Sequence, residues 1–560
     1  MNFRNKTNII FLSIVVGIII LSFLLRFRVD LSSDKRFSLS EHTKFLVQQT
    51  QEPIQVIIYL DGELNPGFLR LKNATVDILD EMSAYANSKI DISFVNPSNA
   101  ENTEEREKKY AELANIGLQP TAIYERDGEG NPVRKIVFPW LQLKYNNKTE
   151  IISLLKNISG NSGEENLNIS IENLEYELTN GLRKLMNTYV RKIAFIEGHG
   201  ELNEAETYDI SKTLSNYFQV DRGVLGTDAT ILTDYKVIIV AKPTQPFSES
   251  DKYIIDQYIM NGGRVLWLID AVRIAKENLS TSGLSPSLTL DLNLDDLFFK
   301  YGVRINPVLL QDVQCATIPM NIAKSDEKPH FEPMPWFYSP LLMVSNQHAI
   351  TKNISEVKAD FSSTIDLVNM NPQLKITQLL VSSDMSHIVA APATIDLNNQ
   401  PNSKDKDYFN AQYLNVSVLS EGLFSSNFEN RMMPSEINKS FPFLAKSIST
   451  RQIFVSDGDI IRNETNGIAS DSTTLSLGFD RFMNQQFGNK DFIKNAVLYL
   501  AGEDNWLNLR TKTVKLRLLN KTKVNENELS IQILMIILPI LLLILFGLFY
   551  QWRRKRKFTR

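Results

Sequence analysis

Between Lys192 and Asp270 the apolar positions follow two alternating patterns. Lys192–Glu197, Val237–Val240 and Arg264–Asp270 are short runs, apolar on consecutive residues. Between them lie stretches of helical period, one through Tyr208, Ile210, Leu214 and Phe218 and one from Ser250 to Met260. Strands alternating with helices of about a dozen residues predict βαβ units and a parallel sheet. Strands without polar alternation predict a sheet covered on both faces. Gly198-His199-Gly200-Glu201 stops the first run, Lys242-Pro243 stops the second, and Asn261-Gly262-Gly263 precedes the third. Gln452–Asp457, then a helix over Asp491–Leu500, returns to the same pattern and predicts the last βα unit of this domain.

Upstream, residues 53–157 predict a small α/β domain. Ile54–Leu60 is strand-like, Gly67–Asn87 is helical with Leu69, Leu71, Val76, Leu79 and Met82 on one face, and Lys89–Val95 alternates strictly. A charged helix over Glu101–Asn115 follows, then strands at Thr121–Tyr124, Lys135–Phe138 and Trp140–Tyr145. Asn146-Asn147 is the hairpin turn into a strand at Lys148–Ser153. A thioredoxin-like sandwich fits this order, without the Cys-x-x-Cys of redox members. Ser159–Asn166, rich in Gly, Ser and Asn, reads as a linker before a long helix over Ile171–Val190. Asn278–Leu292 reads as a loop, and residues 311–445, rich in Asn, Ser and Pro, as a β-rich insertion.

Two uncharged segments change the picture. Ile9–Leu25 and Ile531–Tyr550 each have the length of a membrane span, about 17–25 residues. Arg26-Phe27-Arg28 after the first leaves no small-x-small cleavage site, which favours an uncleaved anchor over a signal peptide. Arg4 and Lys6 precede the first span, and Arg553, Arg554, Lys555, Arg556, Lys557 and Arg560 follow the second. Basic flanks face the cytoplasm. Both termini are therefore expected there, with residues 26–530 a periplasmic ectodomain of a bacterial inner-membrane protein. The expected organisation is 1–8 cytoplasmic, 9–25 first span, 26–52 juxtamembrane, 53–157 N-terminal α/β domain and 158–190 linker and helix. The parallel-sheet domain follows in two parts, 191–310 and 446–505, around the 311–445 insertion. Residues 506–530 are juxtamembrane, 531–550 the second span and 551–560 a basic tail. The whole chain carries −4 and its basic ends are outside the ectodomain, so the ectodomain is strongly acidic. An acidic face excludes nucleic acid as a partner. A single cysteine, Cys315, excludes an intrachain disulfide.

Candidate chemistry gathers at the predicted strand ends, where α/β folds place ligands. Glu197, His199 and Glu201 put two carboxylates beside a histidine, a set able to bind a metal or move a proton. A tight glycine turn with His199 bonded to its neighbours is the plainer reading of the same residues. Asp457 and Asp459 could hold Mg²⁺, or could simply accept backbone amides in a turn. No Gly-x-x-x-x-Gly-Lys, Gly-x-Ser-x-Gly or His-Glu-x-x-His occurs. Cys315 sits outside any strand-to-helix elbow, and the turn at Ala241-Lys242-Pro243 carries no nucleophile. No catalytic residue, cofactor or metal site is therefore expected, and Glu197, His199, Glu201, Asp457 and Asp459 stand as ligand-binding candidates. Pro333–Tyr338 and Met432-Met433-Pro434 read as core packing ahead of a partner surface.

Several short pieces occur in order: Asp30-Leu31, Arg36–Ser40, Tyr59-Leu60-Asp61-Gly62, Phe487–Phe492, Asn495 and Leu509–Lys512. With Glu197–Glu201, Asn261–Gly263, Ser456–Asp459 and the two terminal spans, they resemble the GldG family, the gliding-motility-associated ABC transporter auxiliary, or substrate-binding, proteins of Bacteroidetes. The resemblance implies an amidotransferase-like fold without catalytic residues for the parallel-sheet domain. It also implies a non-catalytic accessory subunit held in membrane lipid beside an ABC ATPase subunit and a permease subunit. The rival readings are a periplasmic ligand or metal receptor working through His199, Asp457 and Asp459, and a degenerate hydrolase.

Overall fold

In the N-terminal segment, Ser40 caps α1 (Glu41–Gln48), its side chain accepting from Thr43 N. β1 (Ile54–Ile58) buries Ile54, Val56 and Ile58 on one face. Asn65 caps α2 (Pro66–Tyr85), which has Pro66 in its first turn, where a missing N–H costs nothing. β2 (Ile90–Phe94) runs parallel to β1. The charged helix α3 (Thr103–Asn115) buries no residue, and β3 (Thr121–Arg126) pairs with β4 (Pro132–Val137) as a separate ribbon. β5 (Trp140–Tyr145) and β6 (Lys148–Ser153) form the expected hairpin, with Asn146 and Asn147 at φ 47° and 61°. The sheet order β2-β1-β5-β6 is that of the sandwich expected from the element order. α4 (Gly163–Met186) packs on it and starts earlier than expected. The second half of the 159–166 linker, from Gly163, belongs to this helix because Ser162 and Glu165 form a capping box. Ser162 N donates to Glu165 Oε2 at 2.7 Å and Glu165 N to Ser162 Oγ at 3.3 Å.

The computed structural model describes residues 38–126, 132–158, 161–186, 191–321, 323, 328–345, 348–368, 371–437, 442–466, 473–502 and 527–558. The expected first span, the segment up to residue 37 and most of 506–530 lie outside the described residues. The chain divides into two units, Met1–Thr513 and Val514–Arg560.

The larger sheet begins with β7 (Arg191–Glu197), α5 (Tyr208–Ser215), β8 (Phe218–Val224), β9 (Tyr235–Ala241), α6 (Glu249–Met260) and β10 (Val265–Leu268). α7 (Lys276–Ser282) and a strand at Leu284–Thr289 stand where a loop was expected. Then come β11 (Cys315–Asn321), β12 (Phe331–Val344), β13 (Val357–Lys358), β14 (Leu374–Val381), β15 (Asn415–Gly422), β16 (Thr450–Val455) and α8 (Asn489–Leu500). The ten strands run in the order β11-β12-β14-β15-β16-β10-β9-β7-β8, with β13 paired to β12. From β8 to β16 the pairings are parallel, and Trp267 faces Phe454 across β10 and β16. From β16 to β11 they are antiparallel.

Residues 311–445, set apart as an insertion by composition, thus lengthen the same sheet. Their strands were hidden because serine occupies buried positions. Ser417 and Ser420 on β15 are fully buried, and Ser420 Oγ donates to the Tyr301 carbonyl at 3.2 Å. Trp336, Phe337 and Tyr338 on β12 are buried, as core packing requires, whereas Met432 is 94% exposed.

Alternate residues of each parallel strand enter opposite cores. Ile193, Phe195, Val237, Ile239, Leu266, Leu268, Ile453 and Val455 meet α5 and α8 on one face. Ala194, Ile196, Ile238, Val240, Val265, Trp267 and Phe454 meet α6 on the other. The consecutive apolar runs are the signature of this double covering. Phe424, Phe428 and Ile437, after β15, join the α6 side, which explains why α6 is buried almost all round.

α9 (Glu528–Phe558) holds the expected second span and continues through Pro539. Within it, the 26 residues Ile531–Arg556 are long and apolar enough to cross a membrane.

Candidate functional site

The parallel strands end together, and two sets of charged side chains occupy those ends. At the end of β7, Gly198 and Gly200 have φ of 113° and 72°, so the turn doubles back tightly. Glu197 is not free there. Its Oε1 accepts from Arg222 Nε at 2.7 Å, while the two Nη of Arg222 donate to Thr207 Oγ1 and the Leu202 carbonyl. His199 is held on three sides. Nδ1 lies 3.0 Å from Glu201 Oε1, Nε2 lies 3.2 Å from Asp251 Oδ2, and the ring stacks on Phe247 at 3.7 Å between centroids. Asp251 is in turn fixed by Ser248, the N-cap of α6. Burial alone would lower the His199 pKa, but Asp251 and Glu201 outweigh it and push it up to about 9. A charged imidazolium donating from both nitrogens has no lone pair for a metal or a proton. This trio ties the β7 turn to the start of α6.

The second set surrounds the turn after β9. Lys242 has φ 56°, a strained conformation for a residue with a side chain, at the elbow where β9 ends. Its Nζ lies 2.9 Å from Asp270 Oδ2 and 2.6 Å from Asp459 Oδ2. Lys276, at the start of α7, pairs with Asp360 and, at 3.0 Å, with Asp459, and its Nζ lies 5.4 Å from the centre of the Phe361 ring. Burial would lower both lysines, but Asp270, Asp360 and Asp459 hold their pKa values above the ordinary range. Burial likewise opposes the charge on Asp459, yet Lys276 and Lys242 keep its carboxyl well below the carboxylate range. Asp457 is fully buried and accepts from Asp360 N at 2.6 Å and Asp459 N at 2.7 Å. Burial, with Asp270 and Asp459 nearby, pushes it up. Gly458 N donates to Asp270 Oδ1, and a Cβ on Gly458 would stand 2.5 Å from Lys242 Cβ, so only glycine lets the two turns meet.

The five sequence candidates therefore fall into two clusters. They share the loop after β9, where Lys242 meets Asp459 while Thr244 N and Gln245 N donate to the His199 carbonyl. Among the described residues, no three His, Cys, Asp or Glu side chains converge as a metal cage needs. Lys242, Asp270, Lys276 and Asp360 were not singled out as binding residues in the sequence. The available signal was weak: Lys242 and Asp270 are the first charged residues after two buried apolar strands.

Two cavities flank this cluster. Beside the elbow only about 60 Å³ remains, bounded by Lys242, Thr244, Asp270, Lys276, Phe361 and Asp459. On the other side of Lys276, Phe361 and Asp459 lies a cleft of 590 Å³. Small-molecule sites span about 300–1,000 Å³, so the cleft has ligand size and the elbow chamber does not. Cys315 adds no nucleophile, since burial and then Asp312 push its thiol up to about 12.

Comparison with known proteins adds four findings. An uncharacterized protein of Borreliella burgdorferi is 23% identical over 577 residues, covering 99% of each chain. The solved mmIFT52 N-terminal domain aligns with a TM-score of 0.31 and 11% identity over 55% of this chain and 96% of that one, too distant to support a shared fold. Residues 33–144 match a domain of unknown function. Residues 190–496, the segment that builds the ten-stranded sheet and both charged clusters, match the model of the ABC-type uncharacterized transport system auxiliary family, and the chain belongs to that family.

Proposed function

We propose that this protein is a non-catalytic auxiliary subunit of an ABC transporter, assembled in the membrane with an ATPase subunit and a permease subunit. The observation that carries this reading is the elbow. A strained turn at the end of a parallel strand, where α/β folds place functional side chains, holds Lys242, with its ammonium locked between Asp270 and Asp459 and about 60 Å³ of space beside it. A permanently protonated amine has no lone pair to attack with. Membership of the ABC transport auxiliary family supports association with transporter components. The apolar, exposed helix α9 supports lateral assembly with a permease. In this reading the sheet is an amidotransferase-like framework retained as an assembly platform. Residues 26–530 face the periplasm, and the transporter serves gliding motility, as the GldG resemblance implies.

Purification of the intact protein from native membranes in mild detergent tests the assembly. Recovery of an ABC ATPase and a polytopic permease in constant ratio is the expected result. Recovery of the intact protein free of both would sink the proposal. The motility assignment has its own test, loss of surface gliding on deletion of the gene, with restored gliding from the intact chain.

A further inference from the structure

Most charges around the 590 Å³ cleft are already committed. Lys276 is paired with Asp360 and Asp459, Lys358 Nζ lies 2.6 Å from Asp480 Oδ2, and Arg462 Nη2 lies 2.9 Å from Glu206 Oε1. Glu464 and Arg481 differ. Arg481 Nε stands 3.9 Å from Glu464 Oε2, and Lys358 Nζ stands 3.7 Å from Glu464 Oε1, both beyond hydrogen-bonding reach. The Arg481 side chain is 50% exposed and that of Glu464 40%. Arg481 is otherwise placed only over the Phe482 ring, at 4.9 Å. Among the described residues, neither side chain makes a hydrogen bond. The cleft thus presents one available anion and one available cation side by side. The same cleft has an apolar wall of Leu279, Ile318, Trp336, Phe361 and Leu397.

We propose that this cleft binds an α-amino acid with an apolar side chain, its ammonium on Glu464, its carboxylate on Arg481 and its side chain against the apolar wall. A zwitterion replaces the loose Glu464–Arg481 pair by two hydrogen-bonded ones, which are the stronger kind. A ligand of single charge would satisfy one partner and be repelled by the other. The two charges of an α-amino acid sit on one carbon, a few bond lengths apart, which suits the 3.9 Å spacing of Glu464 and Arg481. The cleft volume accommodates such a ligand with room for its side chain.

Calorimetric titration of the detergent-solubilised full chain tests this with L-leucine and L-phenylalanine, set against leucinamide, N-acetyl-leucine and leucyl-leucine. The expected result is saturable binding of the free amino acids, with each charge-deleted analogue weaker by about tenfold or more. Glu464→Gln and Arg481→Gln should each weaken binding by a similar factor. Both side chains are partly exposed and outside the core, so the thermal unfolding midpoint of each variant should match the parent. No saturable binding up to millimolar concentration would overturn the proposal. So would equal binding of the capped analogues, tighter binding of the dipeptide, or unchanged affinity in both variants. The outcome is independent of whether an ATPase or permease copurifies.

Discussion

At the residue scale, the site is a set of ionised side chains held out of water by one another. His199 carries a pH signature. Its folded pKa of about 9 lies above the unfolded value of 6.5. The charged ring therefore contributes its full stability below pH 6.5, and that contribution fades as pH rises through 9. With allowance for solvent screening, about 1–2 kcal/mol is at stake. The unfolding midpoint should fall between these pH values, and His199→Gln should flatten that slope. An unchanged slope would show that the Asp251 and Glu201 contacts do not hold the proton. Lys242→Ala should be more damaging, because it leaves Asp270 without its cation and Asp459 with Lys276 as its close partner, a loss of about 3–5 kcal/mol. Denaturant titration of the solubilised protein reads this directly, and a loss below about 1 kcal/mol would mean the pair is well hydrated. The Glu197–Glu201 cluster and the Asp457/Asp459 pair were legible as charged strand ends in the sequence. Their partners were not: Asp251 lies 52 residues from His199, and Lys276 lies 183 residues from Asp459.

At the scale of elements, the parallel strands and their helices are written in local pattern, whereas the antiparallel half is not. β9 and β10 are apolar at consecutive positions, and α6 starts at a serine cap and ends before Asn261-Gly262-Gly263. β15 mixes Asn, Ser and Val, and is a strand because β14 and β16 pair with it on either side. Its last residue, Gly422, has φ 138°, and a Cβ there would stand 2.1 Å from the Gln373 carbonyl oxygen. Gly422→Ala should therefore cost about 1–3 kcal/mol by forcing β14 and β15 apart. Faster amide exchange confined to β14 and β15 would locate that damage. Exchange that stays at parental rates would show that the strand ends yield without cost.

At the scale of the whole molecule, the proposed topology places the basic end of α9 in the cytoplasm. Protease added to intact spheroplasts should leave the tail after Tyr550 uncut, and opening the membrane should expose it. Cleavage in intact spheroplasts would reverse the orientation. The same experiment with a tag at Met1 tests the first span, independently of the helix at Glu528–Phe558.

The sequence by itself determined the elements whose signal is local. These are the parallel βα units, the Asn146-Asn147 hairpin and the apolar helix around Ile531–Tyr550. Each depends on residues within one turn, strand or helix, so periodicity and turn chemistry suffice. Tertiary structure alone decided that residues 311–445 extend the main sheet, because a strand with buried serines is stabilised by its neighbours rather than by its own apolar pattern. It alone decided that Lys242 fills the elbow with its charge neutralised. Ion pairs form between side chains brought together by folding, and no spacing along the chain encodes which lysine meets which aspartate.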